Sequence, residues 1–334
     1  MGSEAIPTDP GRRMSIPSGQ LPDIRLLWDA GRVSEWYAAL KAVPESTLTQ
    51  SFGYAQAMLT TERWRPRLAL VEREEETVGL VVVLEKKVLG LARVAKVHRG
   101  PLLAPHARDL PTLAATYRLL RLAYPTSLMR WTSMIPELPA GPESGTLLRW
   151  AGWRRQPGPG YRTIWLDLTP DAASLRAGLE QKWRNALNQA ERAGLEIEVD
   201  ASGAALPWLL ERYMEDRAAR GYRGASPRLL TRLRTAMHKD GDVLLLRALK
   251  DGKPVAGVLF YGHGQAATYQ VGWSGPRGRE TRAHHLLLWR AALALKAQGR
   301  TRLDLGGLTP KAEGVNRFKR GLGGREVELA GVWV

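Results

Sequence analysis

The 334-residue chain contains no cysteine. Disulfides, thiolate metal sites and a thiol nucleophile are therefore excluded, and nothing supports an oxidising compartment. Long apolar runs are also missing. The longest clear one, VGLVVVL at Val78–Leu84, falls well short of the ~18 residues a membrane span needs. No transmembrane segment is expected. The N-terminal residues carry no apolar stretch of the secretory type, so a cytoplasmic location is the expectation. Phenylalanine is scarce, three residues against twelve tryptophans. Anionic side chains are short as well: 33 Asp and Glu face 49 Lys and Arg, a formal charge of +16. The cations lean toward the C-terminal half, and most are arginine, whose planar fork suits phosphate. Such a balance points to a polyanionic partner: nucleic acid, nucleotide sugar, CoA or an anionic membrane surface.

An apolar fraction of 44% supplies enough core for two domains of ordinary size. Residues 1–20, rich in Pro, Gly and Ser, read as a loose disordered tail. In the second half, DVLLLRALK, KPVAGVLFYG and AATYQVGW are separated by Asp-Gly and Gly-His-Gly turns, a three-stranded antiparallel meander. An arginine-rich loop then leads to a helix from about Thr281 to Gln298, stopped by Gly299, and to a buried strand, TRLDLGG. The first half repeats this order. RLALVE, TVGLVVVLEKK and ARVAKVHRG give the meander, Leu110–Ala123 the helix, and SLMRWTSM the strand. Two copies of one α+β unit follow, each a mostly antiparallel sheet flanked by helices. We set the first domain at 21–160, completed by the C-terminal strand 325–334, and the second at 161–324.

Between the two lies a helix with one apolar stripe, Leu175, Leu179, Trp183, Leu187 and Ala190, capped by Thr169 or Asp171 and ended by Gly194. Two more helices follow, one running to about Arg220 and one starting at Ser226-Pro227.

A meander feeding a loop, a helix and a further strand resembles the GNAT acyltransferase unit. Two such units with a basic helix between them resemble the Fem family, the FemA/FemB/FemX-like aminoacyltransferases. The likeness rests on QSFGYAQAM (Gln50–Met58), QKWRNALNQAERAGLEIEV, RAARGY, LDLGGL (Leu303–Leu308) and GVNRFKRGLGG (Gly314–Gly324), in that order. It runs from about Leu48 to the last residue. No sustained heptads mark the helical arm of some members, so the chain resembles the armless branch. That resemblance implies transfer of an amino acid from aminoacyl-tRNA to an amine of a peptidoglycan precursor, another peptide or a small metabolite. It places the reaction centre at Phe318-Lys319. Acceptor contacts map to Arg217 or Arg220 and to Tyr222 or Tyr269. Met58 stands in the region where some members place a lysine for the precursor's diphosphate.

The chemistry needs no covalent enzyme intermediate. An amine attacks an activated ester, and the Lys319 ammonium can stabilise the oxyanion that forms. By spacing alone, Lys319 is equally a cation ending a short helix before Gly321. Asp304 is a candidate base or a turn acceptor. His285, with His284 beside it, is a second candidate base or an ordinary helix-start residue. Gly272-Trp-Ser-Gly-Pro lacks the last glycine of a nucleophile elbow and follows an antiparallel strand, so Ser274 is no hydrolase nucleophile. Pro276–Ala283 lacks the Q/R-x-x-G-x-G/A signature by which CoA-dependent GNAT enzymes cradle pyrophosphate. Arg277, Arg279 and Arg282, with Arg317 and Arg320, remain candidate donor-phosphate contacts. The histidines show no metal spacing, and neither a metal nor a resident cofactor is expected. The donor is a co-substrate, aminoacyl-tRNA or acyl-CoA. A non-catalytic RNA- or envelope-binding protein is the reading from another class.

Overall fold

Strand β3, Glu76–Val88, is buried on both faces from Val78 to Leu84, which places it at the centre of a sheet rather than an edge. The computed structural model describes residues 21–29, 31–88, 90–238 and 241–334. The tail expected at 1–20 lies outside the described residues. In the first sheet β3 is flanked by β2 (Arg65–Arg73) and β4 (Ala92–His98), with β1 (Ile24–Trp28) and β6 (Arg130–Ile135) at the edges. The short β5 (Leu102–Leu103) also pairs with β3. Alternation along β3 sends Leu80 and Val82 to one face, against α1 (Val33–Lys41) and α2 (Phe52–Glu62). Val81 and Val83 face α3 (Leu110–Ala123) and α4 (Pro142–Trp150).

The second sheet runs β13-β7-β12-β11-β10-β9-β8. Its strands are β7 (Arg162–Asp167), β8 (Glu196–Asp200), β9 (Val243–Lys250), β10 (Lys253–His263), β11 (Ala266–Ser274), β12 (Arg302–Asp304) and β13 (Arg325–Glu328). One face carries α5 (Ala172–Ala177), α6 (Gln181–Glu191) and α10 (Ala283–Ala297). The other carries α7 (Leu206–Arg220) and α8 (Pro227–Met237). The short α9 (Pro276–Glu280) and α11 (Glu313–Arg320) complete the described helices of this half. The fold is α+β, two mixed sheets flanked by helices, as expected from the repeated order of elements.

Two local features depart from the sequence reading. The stripe from Leu175 to Ala190 is buried throughout, but it lies on two helices, not one. Asp171 caps the first through the Ser174 amide, 2.7 Å away. The chain then breaks at Gly178, because the loop after α11 is pressed against it: a side chain on Gly323 would collide with the Gly178 carbonyl. The Glu180 amide donates to Gly321 O at 3.0 Å across the same contact. The C-terminal strand is also divided between the sheets. β13 pairs with β7 of the second sheet; from Glu328 O, which accepts from Ala140 N, the chain crosses to the first domain, where Trp333 bridges Met134 and is fully buried.

The domains meet through α2. Gly53 lies so close to Met237 of α8 that a Cβ would come within 2.6 Å of its side chain. Gln50 turns inward, accepting from Val82 N at 2.7 Å and donating to His98 O at 3.0 Å. This ties the segment before α2 to β3 and to the C-terminal end of β4 within the first domain.

Candidate active site

Parallel neighbours β11 and β12 stay in register for only three positions, from Ala266↔Arg302 to Thr268↔Asp304. β12 then ends, while β11 continues to Ser274. Beyond Tyr269 a wedge opens between them. The corresponding parallel pair in the first domain, β4 and β6, stays in register from Arg93↔Arg130 to His98↔Ile135 and opens no wedge. Among the described residues, the β11–β12 opening has no counterpart along the paired length of β4 and β6.

Helix α11 presents Phe318 and Lys319 to the wedge. The Lys319 ammonium has three donors. Two go to backbone carbonyls, Gly306 O at 3.1 Å and Gly307 O at 2.9 Å. The third remains, with Nζ 5.9 Å from the centre of the Tyr269 ring. Lys319 is 6% exposed, and burial lowers its pKa to about 8 although Asp304 pulls the other way. Gly306 sits at φ +72, where a Cβ would stand 3.0 Å from Tyr269 O and 3.8 Å from Lys319 Nζ. Gly306→Ala is expected to cost about 1–2 kcal/mol in chemical denaturation, through the left-handed backbone alone. It should also weaken activity by displacing the two carbonyls.

Tyr269 O–H and His284 Nε2 are 2.9 Å apart. The Phe318 ring meets the His284 and His285 rings edge-on at 5.3 and 4.8 Å. Trp183 Nε1 donates to Phe318 O at 3.1 Å, tying α6 to α11. Burial holds His284 and His285 neutral, with pKa values lowered to about 4. His285 Nδ1 is buried with no hydrogen-bond partner among the described residues. Tyr269 is pushed well above the usual phenol range by burial, with Tyr222 close enough to add to the shift. The loop after α7 therefore approaches the wedge.

Asp304 forms the wall of the site toward the first domain. It is fully buried and accepts from Arg99, from Thr163 Oγ1 and from Gly306 N at 2.8 Å. Burial opposes its charge, but the Arg99 guanidinium foremost, then the hydrogen bonds, keeps its pKa below the usual carboxylate range. Such a carboxylate orients the turn below Lys319 and is poorly placed to take a proton. Arg99 comes from the end of β4. It is buried, reaches Glu137 through bonds of 3.0 and 2.9 Å, and lies over the rings of Tyr161 and Trp165. His263 continues this polar seam between Thr268 Oγ1 at 2.7 Å and Ser46 Oγ at 3.2 Å.

The arginines are not gathered in one place. Arg277 pairs with Asp251 at 3.0 Å, Arg279 donates to Ser274 O at 2.6 Å, and Arg320 is held by Glu326 and Glu313. Arg282, the left-handed residue that opens α10, and Arg317 make no ion pair among the described residues. Arg217 reaches Ala225 O and Arg220 pairs with Asp216, so both brace the loop bearing Tyr222. The segment Pro276–Glu280 is wound into the short helix α9, in which Arg279 N donates to Gly275 O and no side chain caps the start. Arg99, Thr163 and Tyr161 were not foreseen. Arg99 and Thr163 meet at Asp304, 205 residues from Arg99 in the chain, with Tyr161 under the Arg99 guanidinium, and nothing local in HRGP marks that contact.

Among the described residues no group of three His, Asp or Glu could hold a metal ion. The buried histidines instead make stability pH-dependent. His98 and His263 have pKa values lowered to about 4 and about 3 by burial, beside His284 and His285. Below pH ~6.5 the unfolded chain binds these protons and the native one does not. Stability is thus complete above pH ~6.5 and lost as pH falls toward 4, on the order of 1–2 kcal/mol per buried histidine at pH 5. Urea midpoints at pH 7 and pH 5 check this; equal midpoints would contradict it.

Residues 173–320 match the family model described as an acetyltransferase (GNAT) domain. No curated protein matches the chain by sequence. Among solved structures, FemX aligns over 90% of this chain and 94% of its own, with TM-score 0.76 and 19% identity. A conserved protein of unknown function from Bacteroides thetaiotaomicron aligns over 94% and 98%, at TM-score 0.60 and 11% identity. The C-terminal domain of a putative lysylphosphatidylglycerol synthetase from Agrobacterium fabrum aligns over 90% and 91%, at TM-score 0.52 and 13% identity. The chain thus has the fold of FemX, two mixed sheets flanked by helices, and residues 173–320 within its second half are similar to a GNAT acetyltransferase domain.

Proposed function

We propose that this tandem GNAT protein moves an amino acid from aminoacyl-tRNA to an amine of a peptidoglycan precursor or another peptide or small molecule. The observation that carries the reading is Lys319, with one uncommitted donor in the wedge between β11 and β12. The acceptor nitrogen adds to the ester carbonyl, and the Lys319 ammonium stabilises the resulting oxyanion. Collapse breaks the bond to the ribose oxygen and leaves an amide. The proton lost by the amine ends on the departing hydroxyl, with the Tyr269–His284 pair as its carrier. Phe318 and Trp183 keep water from the ester. Arg282 and Arg317 are free to meet donor phosphates, and the Tyr222 loop braced by Arg217 and Arg220 covers the acceptor side. The missing Q/R-x-x-G-x-G/A signature in Pro276–Ala283 supports tRNA over CoA.

An acyl-CoA-dependent N-acyltransferase is the second reading, favoured by the acetyltransferase domain match. Purified protein incubated in parallel with charged total tRNA or acetyl-CoA, plus an amine acceptor pool, separates them by product mass. An aminoacyl adduct formed only with tRNA, in a reaction weakening steeply with salt, is the expected result. Acetyl transfer without tRNA would establish the second reading. Tight binding of uncharged tRNA with no transfer from either donor would leave a binding protein on a transferase scaffold.

A further inference from the structure

At the end of the first sheet away from the wedge, Lys87, Arg93 and Arg130 occupy directly paired positions on three neighbouring strands. Their side chains share one face. Like charges set opposite one another destabilise a sheet, and none of the three makes an ion pair among the described residues. They border a cavity of about 570 Å³ that also takes in Arg65 and Arg67, with buried Thr132 and Ala95 among its lining and Glu85 its one carboxylate. Glu85 is engaged by Tyr124 at 2.7 Å and by Arg67 at 3.9 Å, and Arg67 also pairs with Asp29, so the uncompensated charge is that of the row. The cavity is thus cationic, and its in-register row lacks a counter-ion.

A second observation lies around it. Six of the fourteen exposed large hydrophobics among the described residues sit at this end: Val88, Leu91, Leu122, Leu128, Met129 and Trp131. Leu91 is 75% exposed and Leu128 completely so. Val88 and Leu91 at the end of β3 and beyond it lie beside Leu128, Met129 and Trp131 at the entry to β6, since Arg93 N donates to Met129 O at 2.8 Å, and Leu122 stands on the last turn of α3. Single exposed apolar residues need no explanation, but this concentration beside unpaired cations does.

We propose that this end of the first domain docks on an anionic lipid bilayer. Leu91 and Leu128 enter the headgroup boundary, while the cationic row and cavity take lipid phosphates. The most exposed tips, Leu91 and Leu128, are aliphatic and Trp131 is the one aromatic among the six, too few stacking surfaces for a run of bases, which disfavours nucleic acid here. A symmetric contact with a second copy would set the cationic row against itself. The bilayer satisfies both features at once. β4 spans the distance from Arg93 to Arg99, so docking leaves the wedge roughly 20 Å above the surface. The inference does not rest on the proposed reaction, and its test reads binding alone.

The test is co-sedimentation of the full chain with vesicles of phosphatidylcholine, alone or mixed with phosphatidylglycerol. Three variants accompany it: Lys87→Gln/Arg93→Gln/Arg130→Gln, Leu91→Ser/Leu128→Ser, and a control removing equal charge elsewhere, Lys41→Gln/Arg232→Gln/Lys253→Gln. Wild type should pellet with the mixed vesicles only. The first variant should lose at least about tenfold in partitioning, with thermal stability at or above wild type because the repulsion is gone. The leucine variant should lose a similar factor, and the control far less. Equal losses in the first variant and the control would overturn the proposal, as would unchanged binding by the leucine variant or no pelleting of wild type. Loss of tRNA binding by the first variant, with the leucine variant fully able to bind vesicles, would assign the patch to nucleic acid instead.

Discussion

Lys319→Ala is expected to lower the rate of acyl transfer by about 10²–10³, the usual consequence of removing one oxyanion donor. The loss should fall on kcat, because the third ammonium donor has no use until negative charge develops on the carbonyl oxygen. The fold should survive. The Lys319 head group donates to the Gly306 and Gly307 carbonyls and lies over the Tyr269 ring, and the ammonium lost was already costly to bury, as its pKa lowered to about 8 records. A kcat within a few-fold of wild type, with an unchanged urea midpoint, would remove Lys319 from the reaction centre.

The second large effect is expected at Arg99, whose role is mechanical. Its guanidinium joins Glu137 of the first domain to Asp304 of the second, and both carboxylates are nearly or fully excluded from water. Removing one member of a buried ion network leaves the others charged and unpaired, at a cost of about 3–5 kcal/mol. Arg99→Ala should therefore shift the urea midpoint strongly. Arg99→Lys should recover only part, because an ammonium cannot reproduce the bidentate fork on Glu137. Adding Asp304→Asn to Arg99→Ala should restore stability relative to the single variant by neutralising the stranded charge. A change within about 1 kcal/mol for Arg99→Ala would mean that water reaches the interface and screens it.

These two residues also mark what could be read before folding and what could not. Lys319 was legible because its surroundings are local: a cationic segment framed by glycines, one turn of helix long, following LDLGGL in an order shared with a known family. The meander of the second domain was equally legible, since Asp251-Gly252 and Gly262-His263-Gly264 dictate tight reversals between apolar runs. Arg99 was not, because its meaning is set by a carboxylate in the other domain. The break at Gly178 was hidden for a related reason. The apolar stripe runs unbroken across it, and only the approach of Gly323 shows why the helix stops. Asp304 was visible as a residue, with base and turn roles both open. The positive charge of Arg99, the Thr163 hydroxyl and the Gly306 amide saturate it. The cationic row at Lys87, Arg93 and Arg130 required strand register, which no single segment carries.

The central claim, that the Lys319 ammonium faces the reacting carbonyl, is tested most directly by single-turnover transfer rates of wild type and Lys319→Ala across pH 6 to 10. Taking their ratio cancels ionisation of the acceptor amine, which both share. The ratio should be constant below pH 8 and fall about tenfold per unit above it, as Lys319, with its pKa lowered to about 8, loses its proton. A ratio independent of pH across that range would contradict the account.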